Sequence, residues 1–409
     1  MAVTLRALQT VVPPTILIQE QVRDIFAAQP GLSRLAQRLV STSFNVSGID
    51  TRHTVIAELT LHDDSAEPQF FDAKQQLLLV PSTRVRNELY ITEATKLFVE
   101  AGRLALAACP DIRPEDITHV VTVSCTGFYA PGPDYMLVRE LGLKASTQRY
   151  HLGFMGCYAS MPALRTAKQF VEADPNAVVL VVSAELCSLH LRTSSDPDTI
   201  IASSLFSDGA AAGIVSARAP LPGEKALGLD LFETVITPVG EGDMAWKIGD
   251  EGFEMILSTY VPHIIDEHIE GALAPLFARD ASISGQLNVP VQADAASAVG
   301  TTPVAPVRTA VLTLAQPAVL SSVIEHWAIH PGGRSILDKT EAKLGLRADQ
   351  LIPSRETLRT NGNMSSATIL FVMKAILDGP ASIDGERVCA MAFGPGLTVE
   401  SGLMTVIEG

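Results

Sequence analysis

The spacing of apolar and polar residues alternates between helix and strand signals along the chain. Apolar residues at helical spacing predict helices, which span residues 18–28, 93–107, 135–141, 253–277, 364–377 and the stretch after Cys157. Runs dense in β-branched residues predict strands, which span residues 2–12, 117–125, 177–184, 210–215, 229–237, 323–329, 388–393 and 397–407. Strands that alternate with helices indicate an α/β fold with a largely parallel sheet.

One stretch, Ser282 to Ala318, departs from this alternation. It is rich in Ala, Val, Pro, Thr and Ser, is nearly free of charge and has no sustained periodicity. This composition predicts a surface insertion with a mobile portion. Because loop-closure entropy changes slowly with length, removing Gln286 to Thr301 is expected to leave folding and activity largely intact.

Composition excludes several classes of protein. The 409 residues are 47% hydrophobic and 18% charged, with a mean hydropathy of +0.25, which is typical of a globular protein. The net charge of −15 argues against general binding to nucleic acid or an anionic membrane. No apolar run reaches membrane-spanning length, and Pro13-Pro14 interrupts an N-terminus without the features of a signal peptide. Five scattered cysteines without a CxxC pair predict reduced thiols and a cytoplasmic protein.

Cys157 is the first candidate for chemistry. It follows the glycine turn Gly153-Phe154-Met155-Gly156 and precedes a strong helical pattern, so it is expected at or near a helix N-terminus. The positive end of the helix dipole favours thiolate over thiol, and Gly156 allows another group to approach the sulfur. Taken alone, however, a single cysteine is more often a buried structural residue.

Two further motifs complete a reactive set. His330 ends a predicted strand and is followed by Pro331-Gly332-Gly333, while Asn363 lies between Gly362 and a predicted helix. A nucleophilic cysteine needs a base or cation partner, and an imidazole and an amide can both donate to one oxygen. The segments Gly156-Cys157-Tyr158-Ala159-Ser160 and Gly362-Asn363-Met364-Ser365-Ser366 also resemble each other, which suggests a duplicated fold whose two helix starts converge.

These motifs resemble those of type III polyketide synthases, the chalcone-synthase-like homodimeric condensing enzymes of the thiolase fold. The resemblance extends over the chain except for the insertion, and it rests on five ordered segments: residues 153–157, 205–212, 330–333, 362–366 and 394–398. It implies a duplicated α/β/α/β/α five-layer fold, with residues 1–222 carrying the cysteine and residues 223–409 carrying the histidine and the asparagine.

The resemblance also implies the chemistry. Cys157 would accept a starter acyl group from coenzyme A, His330 would hold it as thiolate, and His330 with Asn363 would bind the malonyl thioester carbonyl during decarboxylation. Coenzyme A thioesters would be the substrates, with no separate cofactor and no metal. Repeated condensation would give a chain that cyclises, as a pyrone, resorcinol or phloroglucinol, on release.

The resemblance assigns further residues to the substrate chamber. Phe206 matches a gatekeeping aromatic and Met255 aligns with a second, while Arg52 lies in a segment that contributes basic residues to the coenzyme A site. Three positions depart from the plant enzymes: Cys125 and His190 replace threonines, and Trp246 lies near a glycine position. The other chamber positions are Glu185, Cys187, Gly332, Gly333, Ser365 and Pro395.

These departures put chalcone or stilbene formation in doubt and favour an aliphatic starter. Two alternatives remain open: a β-ketoacyl carrier protein synthase III with a single condensation, and a catalytically silent homologue. Met364-Ser365-Ser366 and Gly394-Pro395-Gly396 favour the polyketide interpretation over the first, and the intact set of Cys157, His330 and Asn363 argues against the second.

Overall fold

The structure, a computed structural model, describes residues 2–60, 67–287 and 317–409. Within them the strands are β1 (Thr4–Val11), β2 (Thr15–Ile18), β3 (Thr51–Thr54), β4 (Phe71–Asp72), β5 (Leu77–Leu78), β6 (His119–Ser124), β7 (Gln148–Gly153), β8 (Val178–Leu186), β9 (Asp208–Ser216), β10 (Lys225–Ile236), β11 (Met244–Gly249), β12 (Gly252–Leu257), β13 (His326–Ile329), β14 (Arg387–Gly394) and β15 (Thr398–Glu408). The α-helices are α1 (Gln19–Ala27), α2 (Arg34–Val46), α3 (Thr83–Ala107), α4 (Pro133–Glu140), α5 (Ser160–Ala173), α6 (Pro197–Leu205), α7 (Val261–Ala278), α8 (Ala281–Leu287), α9 (Pro317–Val323), α10 (Arg334–Leu344), α11 (Ile352–Asn361) and α12 (Thr368–Asp378).

A nine-stranded mixed sheet of order β13-β14-β15-β10-β1-β9-β8-β6-β7 runs through the protein. Its parallel pairs lie on the two flanks, where β6 pairs with β7 and β8 and β13 pairs with β14. The central pairs are antiparallel, so the prediction of a largely parallel sheet is wrong. Two features produce the antiparallel centre. The short connection between β14 and β15, residues 395–397, has no room for the crossover that parallel neighbours need. The N-terminal strand β1 lies between β9 and β10 and is antiparallel to both.

Side-chain alternation along the strands divides the core into layers. Val178, Leu180 and Val182 of β8 pack with α3, whereas Val179 and Val181 pack on the opposite face with α5. In the same way, alternate residues of β14 face α7 on one side and α12 on the other. Helices α5 and α12 therefore form a central layer between sheet layers, and α3 and α7 lie outside, which gives the thiolase-like five-layer arrangement.

Most predicted elements are present, with three corrections of extent. The helix predicted from Phe253 is wrong at its start, because residues 252–257 form β12 and helix α7 begins at Val261. The strand predicted from Val323 begins at His326, after α9. Helix α3 begins at Thr83, earlier than the predicted Glu93.

Most of the predicted insertion, residues 288–316, lies outside the described residues. Its ends are helical, in α8 and α9, where the sequence predicted no regular structure. The proposed removal of Gln286 to Thr301 therefore falls mainly outside the described residues. In the described part of the chain, no helix combines the length and the apolar character needed to cross a membrane.

Candidate active site

A buried cavity lies where the starts of α5 and α12 meet the end of β13. It has about 600 Å³ of space not occupied by atoms, part of it continuous with solvent. Its walls are formed by Cys125, Thr126, Gly156, Cys157, Cys187, Phe206, Met244, Ala245, Trp246, Met255, Leu257, His330, Gly332, Ile336, Asn363, Ser365, Phe393 and Pro395. The structure thus places Cys157, His330 and Asn363 on one cavity. We call this cavity the chamber.

Cys157 lies in the turn that leads into α5, as expected from the sequence. Gly156 has a φ of +83°, which glycine adopts without strain. A Cβ atom at Gly156 would lie 2.5 Å from Cδ of Pro395, so this turn also requires glycine for space. The contact brings the turn after β14 against the Cys157 turn and places both on the chamber.

His330 follows the last residue of β13 and is 1% exposed. Its backbone N–H donates to the carbonyl of Met391 at 2.8 Å, which continues the pairing of β13 with β14. Neither ring nitrogen, Nδ1 or Nε2, has a hydrogen-bond partner among the described atoms. A buried imidazole without a partner on the wall of a cavity is available to a bound substrate or to the cysteine.

Asn363 is held by its backbone beside Phe206. Its N–H donates to Leu205 O, and its carbonyl accepts from Ser207 N, each at 2.9 Å. The side-chain Oδ1 accepts from the Ser365 backbone N–H at 2.9 Å, which orients the amide. Its Nδ2 donates to Gly332 O at 3.4 Å and keeps a second hydrogen for the chamber.

The helix starts that carry Cys157 and Asn363 are joined. Ser160 Oγ at the start of α5 donates to Ser366 O at 2.6 Å. Ser366 Oγ also lies 2.8 Å from Ser183 Oγ of β8 and donates to Glu185 Oε1 at 2.5 Å. These buried hydrogen bonds fix the relative position of the two helix starts.

Burial opposes an isolated charge on either reactive group. It raises the pKa of the Cys157 thiol to about 12, with hydrogen bonds from Ser365 and Asn363 acting in the opposite direction. It lowers the pKa of His330 to about 3. Burial therefore acts against the effect expected from the helix start. A cation near Cys157 would favour its thiolate and so act against the effect of burial.

The hairpin β11–β12 forms one chamber wall. Trp246 is directly opposite Met255 in the hairpin, and Met244 is opposite Leu257, so these four side chains share one face. All four line the chamber. Trp246 Nε1 donates to the carbonyl of Cys125 at 2.8 Å, which ties the hairpin to the loop after β6.

Four of the residues expected to bind substrate form a partition between two cavities. Cys187, Phe206, Trp246 and Met255 line both the chamber and an adjoining space of about 360 Å³, here called the side cavity. The side cavity is further lined by residues of α6 and by His190, Leu191, Arg192 and Phe253. His190 therefore lies behind the chamber wall and does not line the chamber, contrary to expectation.

Glu185 also lies behind the chamber wall, where the sequence placed it on the chamber. Its Oε2 accepts from Cys125 N at 2.9 Å and from Thr126 Oγ1 at 2.9 Å, so it anchors the loop that carries both residues. Burial raises the pKa of this carboxyl group. Cys125 itself does line the chamber, with Sγ 3.4 Å from Ser365 Oγ.

The interpretation of Arg52 as a basic residue at the coenzyme A site is wrong. Its side chain is fully buried, and NH1 donates to Ser203 O at 2.8 Å and to Phe206 O at 2.7 Å. Burial lowers its pKa to about 10. Arg52 thus holds the end of α6 and the backbone of Phe206, because a short strand, β3, turns it into the core.

Six lining residues were missed by the sequence analysis as site residues: Thr126, Met244, Ala245, Leu257, Ile336 and Phe393. The hairpin members could have been recognised, since apolar residues alternate at 244, 246 and 248 and at 253, 255 and 257 around Gly249 to Gly252. Gly332, Ser365 and Pro395 line the chamber as expected. Gly333 lines the surface groove that adjoins it.

That groove lies between α2, α6, the start of α7 and the start of α10. It has about 1430 Å³ of space that is partly open to solvent. Leu257, Gly332 and Ile336 line both the groove and the chamber, so the two are neighbours. Arg334 and Lys339 provide positive charge along it, beside Asp338.

Comparison with protein families gives two matches. Residues 2–219 match the chalcone and stilbene synthase N-terminal domain, and residues 311–408 match the corresponding C-terminal domain. Together these two segments cover more than half of the chain.

Solved structures of similar fold include three polyketide synthases. The C-terminal type III polyketide synthase domain of Steely1 from Dictyostelium has a TM-score of 0.80 at 25% identity, with 100% of each chain covered. The 1,3,6,8-tetrahydroxynaphthalene synthase of Streptomyces coelicolor A3(2) has a TM-score of 0.77 at 25% identity, with 99% of this chain and 100% of that chain covered. A polyketide synthase of the brown alga Ectocarpus siliculosus, at 23% identity and a TM-score of 0.79, shares the fold; the coverage is 100% of this chain and 99% of that chain.

Proposed function

The chain belongs to the chalcone and stilbene synthase family of type III polyketide synthases, which are acyltransferases, and we propose that Cys157, His330 and Asn363 are its catalytic residues. The observation that carries the proposal is their joint position on one buried cavity, where neither ring nitrogen of His330 has a hydrogen-bond partner among the described residues. A thiol, an imidazole and an amide donor with access to the same space suit acyl transfer to sulfur followed by stabilisation of an oxyanion.

Acyl loading would begin with transfer of the Cys157 proton to His330. Either charge alone is opposed by burial, but the thiolate and the imidazolium each lower the cost of the other. The thiolate attacks the thioester carbonyl of an acyl-coenzyme A, the carbon–sulfur bond to coenzyme A breaks, and the departing thiolate takes up a proton. An acyl-Cys157 thioester and free coenzyme A result.

Condensation would use the same two donors. With the cysteine acylated, His330 and the Asn363 Nδ2 hydrogen that does not bond to Gly332 O would donate to the malonyl thioester carbonyl. Loss of carbon dioxide places negative charge on that oxygen, where one preorganised donor is typically worth about 2.7–4 kcal/mol. The enolate carbon then attacks the acyl-Cys157 carbonyl and releases the cysteine thiolate, which leaves a β-ketoacyl group on coenzyme A.

We further propose that the groove beside the chamber receives coenzyme A. Leu257, Gly332 and Ile336 line both the groove and the chamber. The acyl thioester of a coenzyme A bound in the groove could therefore extend into the chamber, toward Cys157. Arg334 and Lys339 would take the role that the sequence analysis gave to Arg52, since guanidinium and ammonium groups bind phosphates.

The starter is proposed to be an aliphatic acyl-coenzyme A. Trp246 and Met255 bring apolar bulk into the chamber, which leaves less room for an aromatic starter, whereas a chain gains about 0.8 kcal/mol for each fully buried CH₂. Cyclised products of the pyrone, resorcinol or phloroglucinol type would follow.

A homodimer is proposed on the basis of β7. In the described part of the chain this strand is one of the two edge strands of the large sheet, and residues 148–151 are exposed. Phe128 and Tyr150 add exposed aromatic surface near this edge. An open edge of this kind is a template for antiparallel pairing with a second copy.

Two expectations from the sequence remain proposals. All five cysteines are free and buried, which supports action in the reducing cytoplasm. A division into functional halves at residues 1–222 and 223–409 is in keeping with Cys157 and Asn363 lying on the two central helix starts.

Product analysis tests the proposed function. The enzyme would be incubated with malonyl-coenzyme A and a panel of aliphatic and aromatic acyl-coenzyme A starters, and the products weighed by mass spectrometry. Products with two or more malonyl-derived units are expected. A single condensation product would support a synthase III type of activity instead, and no decarboxylation at all would indicate a catalytically silent protein.

A further inference from the structure

Two successive carbonyl groups of the loop after β6 are held by side chains from elsewhere in the fold. Trp246 Nε1 donates to the carbonyl of Cys125 at 2.8 Å, and His190 Nε2 lies 2.8 Å from the carbonyl of Thr126. Cys125 and Thr126 both line the chamber. Two ring N–H groups from two different elements thus hold this chamber segment, in addition to the Glu185 carboxylate.

The hydrogen bonds of His190 define its tautomer. The Thr126 carbonyl can only accept, so Nε2 carries the proton, and the Phe253 backbone N–H donates to Nδ1 at 3.0 Å. His190 is therefore neutral and has a partner at both nitrogens. Burial lowers its pKa to about 3, which keeps this arrangement uncharged at neutral pH.

Three rings pack together on the side-cavity face of the partition. His190 stacks on Phe253 with centroids 4.2 Å apart and an interplanar angle of 13°. Trp246 meets both rings edge-on, at 5.5 Å from His190 and 5.8 Å from Phe253. Because His190 bonds to the backbone of Phe253 in β12 and to the loop after β6, it connects the two supports of the Trp246 ring.

Helix α3 reinforces the same junction. Arg86 donates to the carbonyls of Leu189 and Leu191, the residues on either side of His190. The Gly252 N–H at the start of β12 donates to Thr83 Oγ1 at 2.8 Å. The turn carrying His190 and the hairpin carrying Trp246 are therefore held by one helix start.

We propose that His190 is a positioning residue that holds Trp246 as a partition between the chamber and the side cavity, and so limits the length of the acyl chain. This inference rests on the proposed function, since it assigns the partition a role in that reaction. Glu185 and Thr83 still hold the loop and the hairpin separately, but loss of both His190 hydrogen bonds removes the link between them. The Trp246 ring can then move, and an acyl chain can enter the side cavity.

The test compares His190→Leu with His190→Gln. Leucine removes both hydrogen bonds, whereas the glutamine amide can donate to Thr126 O and accept from Phe253 N and is expected to rescue. We expect the ratio of kcat/KM for lauroyl-coenzyme A over hexanoyl-coenzyme A to rise about tenfold in His190→Leu and to stay within about twofold of the unmodified enzyme in His190→Gln. Trp246→Phe, which keeps a ring but loses its donor, should shift the ratio in the same direction.

His119→Leu is the matched control. His119 also stacks on a phenylalanine, Phe170, at 4.6 Å and 18°, but lies at the start of β6, away from the chamber. Its loss is expected to change stability without changing the chain-length ratio. A similar shift in His119→Leu, or none in His190→Leu and Trp246→Phe, would overturn the proposal.

A second readout does not depend on turnover. Cys157 would be modified with octyl or with methyl methanethiosulfonate, and the modification mapped by peptide mass spectrometry. The ratio of the octyl rate to the methyl rate should rise about tenfold in His190→Leu. If this ratio rises while the unmodified enzyme forms no polyketide, the role of His190 in positioning the partition is supported and the proposed function is contradicted. If polyketides form and neither ratio changes, His190 does not position the partition.

Discussion

The reactive wall of the chamber and the hairpin wall that faces it are held in different ways. Cys157, His330 and Asn363 are placed mainly by backbone features: a positive-φ glycine turn, a strand pairing and a β-bridge. The hairpin wall is placed by side chains, with Trp246 bonded to a carbonyl and His190 joining two elements. We infer that the first wall fixes the reaction and that the second sets the substrate.

The largest effect is expected from breaking the reactive pair. In His330→Ala no cation can form beside the buried thiol, whose pKa burial raises to about 12, so its thiolate fraction at neutral pH becomes very small. Alkylation of Cys157 by iodoacetamide at pH 7 should fall by at least about 100-fold and should keep increasing with pH. The unmodified enzyme should instead react at a nearly constant rate across neutral pH.

His326→Ala is the control for this prediction, because His326 begins β13, the strand that His330 follows, but pairs with Glu386 at 2.8 Å, away from the chamber. Its alkylation profile should match that of the unmodified enzyme. Equal profiles for the unmodified enzyme and His330→Ala would show that the two groups do not ionise together.

The backbone of the reactive wall is tested by Gly156→Ala. The positive φ costs an alanine about 1–2 kcal/mol, and the 2.5 Å approach to Pro395 adds an overpacking cost of about 1–3 kcal/mol. Gly142→Ala is the matched control, since Gly142 has a φ of +66° and its added Cβ would have no atom of the described chain within 4 Å. Denaturant unfolding should show a larger decrease in the free energy of unfolding for Gly156→Ala than for Gly142→Ala. Equal decreases would contradict the contact with Pro395.

The hairpin wall is tested by Trp246→Gly. Removing the ring enlarges the chamber, so kcat/KM for 4-coumaroyl-coenzyme A relative to an aliphatic starter should rise about tenfold, or about 1.4 kcal/mol. The unmodified enzyme should prefer the aliphatic starter. If it prefers the aromatic starter, or if the ratio does not change in Trp246→Gly, the starter is selected elsewhere.

The smallest effect is expected from Ser365→Ala. The Ser365 hydroxyl lowers the pKa of Cys157, so its loss raises that pKa and reduces the thiolate fraction at any pH below it. Alkylation of Cys157 at pH 7 should slow by about threefold. Ser382→Ala, which removes another buried hydroxyl far from the chamber, is the control and should leave the rate unchanged.

The contrast between the two walls also explains what the sequence could predict. Cys157, His330 and Asn363 lie within short motifs of glycine, proline and small residues, because the backbone conformations that place them have local requirements. Most helices and strands were likewise readable from periodicity. The five-layer fold was implied by the resemblance, and the alternating core contacts of β8 and β14 bear it out.

The remaining differences depend on contacts between distant segments. A charged residue such as Arg52 is expected to be exposed when its hydrogen-bond acceptors are unknown. Here the acceptors are the backbone carbonyls of Ser203 and Phe206, which are distant in sequence. Glu185 and His190 were placed on the chamber although their partners hold them behind its wall. The antiparallel centre of the sheet could not be predicted from strand and helix order alone, because it depends on the pairing of β1 with two strands that are distant in sequence, β9 and β10.

The most direct test of the reactive wall is the acyl adduct itself. The enzyme would be mixed with an aliphatic acyl-coenzyme A in the absence of malonyl-coenzyme A, and peptides analysed by mass spectrometry. We predict one acyl group on Cys157 and none on Cys125 or Cys187, complete loss of the adduct in Cys157→Ala, and persistence of malonyl-coenzyme A decarboxylation in that variant because His330 and Asn363 remain. An acyl group carried by Cys157→Ala, or found on another cysteine of the unmodified enzyme, would contradict the assignment of Cys157 as the nucleophile.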